Sequence, residues 1–139
     1  MANEAVIIEL GPLQGASRSY TCASGTAITK GALLALTSPN TAAANTATER
    51  FAGIASADKS GTDYSTKIGA WTSGDFDILV TAGGPTATFL CGELVVLSGA
   101  NTIKQCTTAA EISGGFVVGR AMEAGVAGTV IRVRLMGPN

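Results

Sequence analysis

The chain has 139 residues and a formal net charge of −1, from nine Lys and Arg residues against ten Asp and Glu. That balance leaves no basic stripe that could neutralise several phosphates, so nucleic-acid binding is not expected. No apolar run approaches the roughly 18 residues of a membrane span, and the N-terminus lacks the positive charge of a secretory signal, so we expect no membrane partner and synthesis in the cytoplasm.

The composition is rich in small side chains and poor in charge. Hydrophobic residues make up 46% of the chain, aromatic residues 5% and charged residues 14%, whereas charged residues usually make up about a quarter. We therefore expect part of the surface to be covered by another chain. A bare surface rich in Ala and Thr is the alternative.

The first predicted element is a strand over residues 5–10. Its alternation places Val6, Ile8 and Leu10 on one face. The Gly11-Pro12 pair interrupts the strand, and because Pro12 cannot donate a hydrogen bond, the segment suits a sheet edge or an extended arm. A second β-prone segment follows at residues 18–22.

The middle of the chain repeats itself. The segment Lys30–Asn40 aligns with Cys91–Asn101, so that Gly31 falls on Gly92. Further on, Phe51–Ala55 falls near Phe116–Ala121. Each segment is a short apolar run closed by a polar turn, which indicates two diverged copies of one β-unit.

The copies are predicted to end in the alternating strands Phe76–Val80 and Val130–Leu135. We therefore divide the chain into an N-terminal arm with a first strand, residues 1–24, and a β-barrel domain, residues 25–139. The two units of that domain cover about residues 25–82 and 86–136.

Several connecting segments have a predicted form. Residues 41–50, rich in Ala, Thr and Asn, favour a loop with one helical turn, and Gly53 suits a bulge or a close approach of two strands. Residues 56–73 form a polar insertion without a counterpart of that length in the second copy. Ala109–Ile112 favours a short helical turn.

About ten short strands, spaced 8–12 residues apart and separated by Gly-rich turns, predict an all-β barrel or sandwich. Helical periodicity is sustained nowhere in the sequence.

The residue inventory argues against catalysis. The chain has no histidine, which removes the common nucleophile–base pairs and histidine-ligated zinc. Asp75 and Asp77 lie on one face of a strand, where a solvated face is favoured over a cation site. We expect no enzyme activity, no metal and no cofactor.

The three cysteines lack the spacing of a zinc site or a disulfide framework. Cys22, Cys91 and Cys106 are expected to be free thiols that act as small buried hydrophobic residues. A pairing of Cys91 with Cys106 across the intervening turn stays open.

Three residues are candidates for an oligomer interface. Trp71, the single tryptophan, either anchors an interface or is a half-buried core aromatic. Arg132 and Arg134 either form ion pairs between subunits or line a solvated strand face.

The second copy resembles a known family. Its motifs Gly92–Leu97, Gly119–Ala121 and Gly128–Leu135 are similar to those of the small capsid decoration, or cement, proteins of tailed bacteriophages. The first copy fits the same scheme through Gly31–Leu36 and Gly53–Ala57, so the resemblance covers most of residues 25–136.

The resemblance implies a β-tulip-like barrel that forms a homotrimer on the outer surface of the expanded head. Its partner there is the major capsid protein, and its location is the virion exterior after synthesis in the host cytoplasm. The N-terminal arm, residues 2–14, would reach onto the shell and add a strand to an exposed capsid edge. The implied capsid contacts are Val6, Ile7, Ile8, Glu9, Leu10 and Gln14.

Two other functions stay open. One is a β-clip-like module that binds a surface or a carbohydrate, which the low aromatic content disfavours. The other is a tail-tube or fibre subunit, which would polymerise into rings or rods.

Overall fold

The computed structural model describes residues 4–9, 17–81 and 88–136, and it confirms the all-β prediction. One short helix, α1 (Ala109–Ser113), is present in this part of the chain. The strands are β1 (Val6–Glu9), β2 (Ser17–Thr21), β3 (Leu33–Ser38), β4 (Thr41–Ala44), β5 (Phe51–Ala55), β6 (Lys67–Trp71), β7 (Asp75–Val80), β8 (Thr88–Phe89), β9 (Leu94–Gly99), β10 (Thr102–Gln105), β11 (Val117–Ala121), β12 (Gly125–Val126) and β13 (Val130–Leu135).

Ten of these strands close into two five-stranded barrels with the same connectivity. In the first barrel β2 pairs in parallel with β4, and antiparallel pairings then run through β3, β5 and β6 back to β2. In the second, β7 pairs in parallel with β10, and antiparallel pairings run through β9, β11 and β13 back to β7. Because the order of strands and the sense of each pairing recur, the chain consists of two diverged copies of one unit, as the repeat predicts.

Main-chain hydrogen bonds fix which residues of the two barrels correspond. The Gly31 amide donates to the Ala55 carbonyl at 2.8 Å, and the Gly92 amide donates to the Ala121 carbonyl at 2.7 Å. Further along, Asn45 donates to Leu33 at 2.8 Å. The corresponding bond of the second barrel, from Cys106 to Leu94, measures 3.0 Å. Leu33 therefore corresponds to Leu94, and Asn45 to Cys106.

The turns that close β3 and β9 also match. Asn40 and Asn101 occupy left-handed backbone conformations, with φ of 54° and 55°, a region in which asparagine is enriched. The register shifts by one residue at the same place in each hairpin, after Leu36 and after Leu97. The turn at residues 38–41 therefore has the same local form as the turn at residues 99–102.

A glycine allows close strand approach at equivalent points of β5 and β11. A β-carbon on Gly53, whose φ is 153°, would lie 2.8 Å from the Trp71 carbonyl oxygen of β6. One on Gly119 would overlap the Arg134 carbonyl oxygen of β13. The prediction of a close approach at Gly53 is confirmed.

The structure differs from the sequence expectation at the strand that follows the first copy. Asp75–Val80 does not close the first unit, because it pairs with β13 and β10 and so begins the second barrel. The last strand of the first barrel is β6, which lies within the polar stretch 56–73. Because β6 corresponds to β13, the stretch 56–73 has a counterpart in the second copy.

Of two shorter predicted segments, one differs in the structure and one is as predicted. Thr41–Ala44 is strand β4 and not a loop, because its main chain pairs with both β3 and β2 whatever its side chains prefer. The short helix is confirmed: Thr108 caps α1, and its hydroxyl accepts a hydrogen bond from the Glu111 amide.

The two barrels have separate but adjoining cores. The first encloses Tyr20, Leu34 and Ile68 with several alanines. The second encloses larger side chains from β7, β9, β11 and β13, and its cluster also includes Leu33 and Ile54 from the outer wall of the first barrel. The barrels therefore pack directly against each other.

The polar stretch between β5 and β6 contains a buried lysine. Lys59 is 4% exposed, and its ammonium group donates to the carbonyl oxygens of Ser24, Thr26 and Ser60 at 3.0, 2.9 and 3.2 Å. These three acceptors offset the cost of removing the charge from water.

Candidate assembly surfaces

The N-terminal strand lies on the second barrel. Val6–Glu9 pairs antiparallel with the first residues of β7, and the Ala5 amide donates to the Gly31 carbonyl of the first barrel at 2.8 Å. Ile7 packs against the core cluster, whereas Val6 is 57% exposed. Among the described strands β1 has a neighbour on one side only.

The predicted capsid contacts therefore lie in different environments. Val6 faces solvent and Ile7 faces the core, so the two are not equivalent. Ile8 and Glu9 contribute main chain to β1, while Leu10 and Gln14 lie outside the described residues.

The outer face of β13 carries two ion pairs with β7. Arg134 donates from Nε and Nη2 to the two carboxylate oxygens of Asp75, at 2.8 and 2.9 Å. Arg132 donates from Nε to Asp77 at 3.2 Å. Both pairs follow from the register, which places each arginine opposite its aspartate. The two candidate interface arginines thus have partners within their own chain.

The Asp75 carboxylate is the more deeply buried of the two. Its side chain is 11% exposed, against 26% for Asp77. The hydrogen bonds from Arg134 outweigh the effect of burial and lower the pKa of Asp75. Asp75 is therefore held ionised by a partner on the neighbouring strand.

Trp71 lies at the end of β6, where the first barrel meets the second. Its ring centroid is 5.7 Å from that of Phe76, with the planes tilted by 43°. The Lys30 ammonium lies 5.7 Å from the Trp71 ring centroid. Trp71 is half-buried against the shared core, so the contacts within this chain are those of a core aromatic.

The turn at residues 99–102 joins the second barrel to the first. The Leu33 amide donates to Oδ1 of Asn101 at 3.0 Å, and Nδ2 of Asn45 donates to the Gly99 carbonyl at 2.7 Å. Leu33 is 0% exposed and Asn45 is 2% exposed. We call this arrangement the barrel junction.

A cleft lies at the matching place on the second barrel. It has a volume of about 350 Å³ and is lined by Glu93, Leu94, Gln105, Cys106, Thr107, Thr108, Ala109 and Ile112. Leu94 and Cys106, which correspond to Leu33 and Asn45, are both partly exposed. We call this region the Leu94 cleft.

Burial and local contacts shift the pKa values of two ionisable groups at the Leu94 cleft. Burial acts to raise the pKa of Glu111, but amide bonds from Thr107 and Thr108 and the ion pair with Lys104 at 3.1 Å outweigh it and leave that pKa lowered. Burial raises the pKa of the Cys106 thiol. The cleft is lined mainly by uncharged side chains, and Glu93 is the one acidic residue in its lining, where its carboxylate accepts a hydrogen bond from Nε2 of Gln105 at 2.8 Å.

Large apolar side chains are exposed mainly on one half of the molecule. Of eight such residues in the described part of the chain, seven belong to β1 or to residues 88–136, and Tyr64 is the exception. The seven are Val6, Leu90, Ile112, Met122, Val126, Val130 and Met136. Within the described residues 17–73, Tyr64 is the one side chain of this kind.

The cysteines do not behave alike. All three are free; Cys22 is buried, Cys91 is exposed and Cys106 is intermediate. The prediction of small buried residues is correct for Cys22 and wrong for Cys91, which lies beside the Met122 carbonyl at the surface.

No group of three His, Cys, Asp or Glu residues within the described ranges is arranged to hold a metal ion. In the same ranges, no helix has the length and apolar character needed to cross a membrane.

The Leu94 cleft was not predicted from the sequence. Cys106 and Ile112 belong to no recognisable motif, and Leu94 lies in the Gly92–Leu97 run, which predicts a strand and not a cleft. The signal that could have found the cleft was the repeat itself, which matches Leu94 to a residue that is covered in the first barrel.

The fold defines a protein of two tandem five-stranded β-barrels. Neither the protein-family models nor the curated proteins give a match to the sequence. Among solved structures, the chain is similar to the N base of head fiber gp8.5 of bacteriophage phi29, with a TM-score of 0.48 and 14% sequence identity over 86% of this chain and 92% of that chain.

Proposed function

We propose that this chain is a non-catalytic structural protein of a phage head. In this proposal it binds the outer surface of the expanded head as a homotrimer and stabilises the lattice of major capsid protein. The sequence resemblance to capsid decoration proteins suggests the partner. The observation that carries the proposal is the concentration of exposed apolar side chains on β1 and residues 88–136.

That distribution supports an assembly role. Isolated apolar residues are ordinary on protein surfaces, whereas a contiguous apolar patch is typical of an interface with another protein. Val130 is 55% exposed on β13 and lies opposite Leu79 of β7, next to the Asp77–Arg132 pair. The same outer face includes the exposed Val6 of β1, whose main chain pairs with Asp77.

The edge of β1 supports a mode of capsid binding. Since β1 pairs on one side only among the described strands, its other edge can pair with a strand of a neighbouring protein. Main-chain hydrogen bonds would supply affinity there, and Val6 would supply an apolar contact.

The stabilisation requires no chemistry. A protein that binds only the mature lattice stabilises it by about 4 kcal/mol at a thousandfold excess over Kd. A trimer that engages three capsid sites at once gains further, because the second and third contacts form at a high effective concentration.

The experiment is a binding assay with purified heads. The protein is mixed with expanded heads assembled from the capsid protein of its own phage, and with unexpanded heads as a control, and the bound protein is measured by co-sedimentation and located by electron microscopy. We expect saturable binding to the outside of expanded heads and heat resistance of the decorated shells. Light scattering of the free protein should give three times the chain mass of 13.9 kDa.

The alternatives predict different results. Binding to a glycan array with no binding to either kind of head would replace this proposal with a carbohydrate-binding module. Assembly of the free protein into rods or stacked rings would indicate a tail-tube or fibre subunit.

A further inference from the structure

The barrel junction is a contact between two corresponding halves of one chain. Leu33 and Asn45 of the first barrel receive the turn at residues 99–102 of the second. Because the halves share one architecture, the second barrel has its own version of the receiving surface and the first barrel has its own version of the turn. Within the described part of the chain neither version takes part in a second junction, although the Asn40 carbonyl accepts a hydrogen bond from the Thr21 amide at 2.7 Å.

The unused receiving surface is the Leu94 cleft. Leu94 corresponds to Leu33, which is 0% exposed, and Cys106 corresponds to Asn45, which is 2% exposed. In the second barrel both positions are partly open, and the exposed apolar side chain of Ile112 lies at the edge of the cleft. Among the described residues, no side chain accepts a hydrogen bond from the Leu94 amide, whereas Asn101 accepts one from Leu33.

The unused turn comprises residues 38–41. Ser38, Pro39 and Asn40 are exposed, and Asn40 has the same left-handed backbone as Asn101. Its side chain can therefore be presented in the manner of Asn101. The turn contains no charged residue, so it brings no like charge towards Glu93, the one charged residue that lines the cleft.

We propose that the Leu94 cleft binds the turn at residues 38–41 of a second copy of this chain, and so repeats the barrel junction between subunits. In this contact Asn40 of one copy accepts a hydrogen bond from the Leu94 amide of the next, and Ser38 lies beside Cys106. The inference rests on the self-association in the proposed function and names the surfaces that carry it.

Such a contact is heterologous, because each copy uses two different surfaces. Heterologous contacts form a closed ring when the rotation between subunits permits, and an open chain otherwise. Three copies in a closed ring would place six barrels in alternation, with every junction built on the same plan.

The contact between copies lacks two hydrogen bonds that accompany the barrel junction. Within the chain, the Phe51 amide donates to the Gly115 carbonyl at 3.1 Å, and the Arg50 side chain donates to Gly114 at 3.2 Å. Both acceptors lie in the segment between β10 and β11, which is longer than the corresponding segment between β4 and β5. These two bonds have no counterpart between copies, so the contact is more readily reversible than the junction.

The first experiment is cross-linking through a native thiol. Ser38→Cys is made together with Cys91→Ser, which removes the exposed thiol and leaves Cys106 as the accessible native cysteine. A disulfide needs Cα atoms about 4.4–6.8 Å apart, so a short bis-maleimide linker is used in parallel with mild oxidation. Both reactions are run at pH 8.5 because burial raises the pKa of Cys106.

We expect covalent multimers from the S38C/C91S protein and a loss of at least tenfold in their yield when Cys106→Ser is added. Thr62→Cys with Cys91→Ser is the control, since Thr62 is exposed between β5 and β6 and belongs to neither the turn at residues 38–41 nor the lining of the cleft, and this protein should stay monomeric on the gel. Multimers that persist after Cys106→Ser would mean that the two introduced thiols meet each other, and would overturn the inference.

The second experiment needs no thiol. Ala109 and Ala110 are both exposed on α1, but only Ala109 lines the Leu94 cleft. We expect Ala109→Arg to raise the Kd of self-association at least tenfold by light scattering, and Ala110→Arg to leave it unchanged, with the same thermal midpoint for both variants.

The outcomes separate this inference from the proposed function. A trimer that tolerates A109R and gives no cross-link overturns the inference and leaves the decoration function standing. Cross-linked trimers that bind no heads sustain the inference and overturn that function. Cross-linked ladders longer than three sustain the contact and overturn the trimer, and a wild-type monomer at high concentration overturns both.

Discussion

The Leu33 amide donates a hydrogen bond of 3.0 Å to Oδ1 of Asn101, across 68 residues of sequence. Leu33 is 0% exposed, so its amide has no access to water. The turn that ends one barrel thus satisfies a buried donor of the other, and the two halves of the chain stabilise each other through that bond.

Replacing Asn101 should test this coupling directly. Asn101→Gly keeps the left-handed backbone but removes the acceptor, and leaving a buried amide unpaired costs about 1–3 kcal/mol. We expect a loss of this size in the free energy of unfolding measured in urea. Asn101→Asp retains an acceptor at the same position and should lose less than half as much; an equal loss in both variants would show that the bond to Leu33 is not the cause.

The close approach of β11 to β13 at Gly119 leads to a second prediction. A β-carbon there would overlap the Arg134 carbonyl oxygen of the neighbouring strand, and forcing atoms into a packed core typically costs about 1–3 kcal/mol or more. Gly119→Ala should lower the free energy of unfolding by at least that amount, or prevent soluble expression.

Gly92→Ala is the matched control for that substitution. Gly92 has a φ of 92° but no atom within 4 Å of an added β-carbon, so the cost is backbone strain of about 1–2 kcal/mol. If G92A were as damaging as G119A, backbone conformation and not strand contact would explain the glycines.

The repeat made much of the fold predictable. Glycine turns, asparagine turns and apolar runs recur in the same order, and these are local signals that a strand carries in its own residues. For that reason β3, β5, β9 and β11 were matched correctly. The all-β class followed from the same signals.

The remaining strands depended on partners that no local pattern reveals. Thr41–Ala44 has a weak strand preference and is held by pairing with β3 and β2. Phe76–Val80 and Val130–Leu135 alternate in the same way, which favoured matching them to each other. They are in fact neighbours in one barrel.

The same limit applies to the candidate site. Sequence reasoning selected Arg134 and Asp75 separately, but their pairing is set by the register of β13 on β7. The Leu94 cleft was not predicted. It can be recognised only by comparing the second barrel with the matching surface of the first barrel, which the turn at residues 99–102 contacts.

The N-terminal strand yields a third prediction, which concerns its contribution to folding. Ala5 is buried and Ile7 packs on the core, so deletion of residues 2–12 removes apolar contacts and exposes an edge of β7. We expect a loss of about 2–4 kcal/mol in the free energy of unfolding, in line with the removal of buried side chains.

A point substitution separates folding from binding in this strand. Val6 is 57% exposed, so Val6→Glu should change the free energy of unfolding by less than about 0.5 kcal/mol. On the proposed function it should nevertheless reduce binding to expanded heads at least tenfold. Undiminished binding by V6E would remove β1 from the capsid contact.

The Asp75–Arg134 pair makes the final prediction, which concerns pH. The Arg134 guanidinium lowers the pKa of Asp75 in the folded protein below its ordinary value of about 3.9. A group whose pKa is lowered by folding contributes stability above its unfolded pKa, and that contribution is lost as the pH falls through the folded pKa. Asp75→Asn should therefore cost about 1–3 kcal/mol at pH 7, and the difference from the wild type should narrow below about pH 4.

Urea unfolding of both proteins at pH 7, 5, 3.5 and 2.5 measures this difference. Glu111 also has a lowered pKa, but it is present in both proteins and cancels in the comparison. Asp77→Asn is the control, because Asp77 meets the partly exposed Arg132 through a single contact of 3.2 Å, and such pairs contribute about 0–1 kcal/mol. A D75N deficit that stays constant from pH 7 to pH 2.5 would mean that the loss comes from packing and not from the ionised pair.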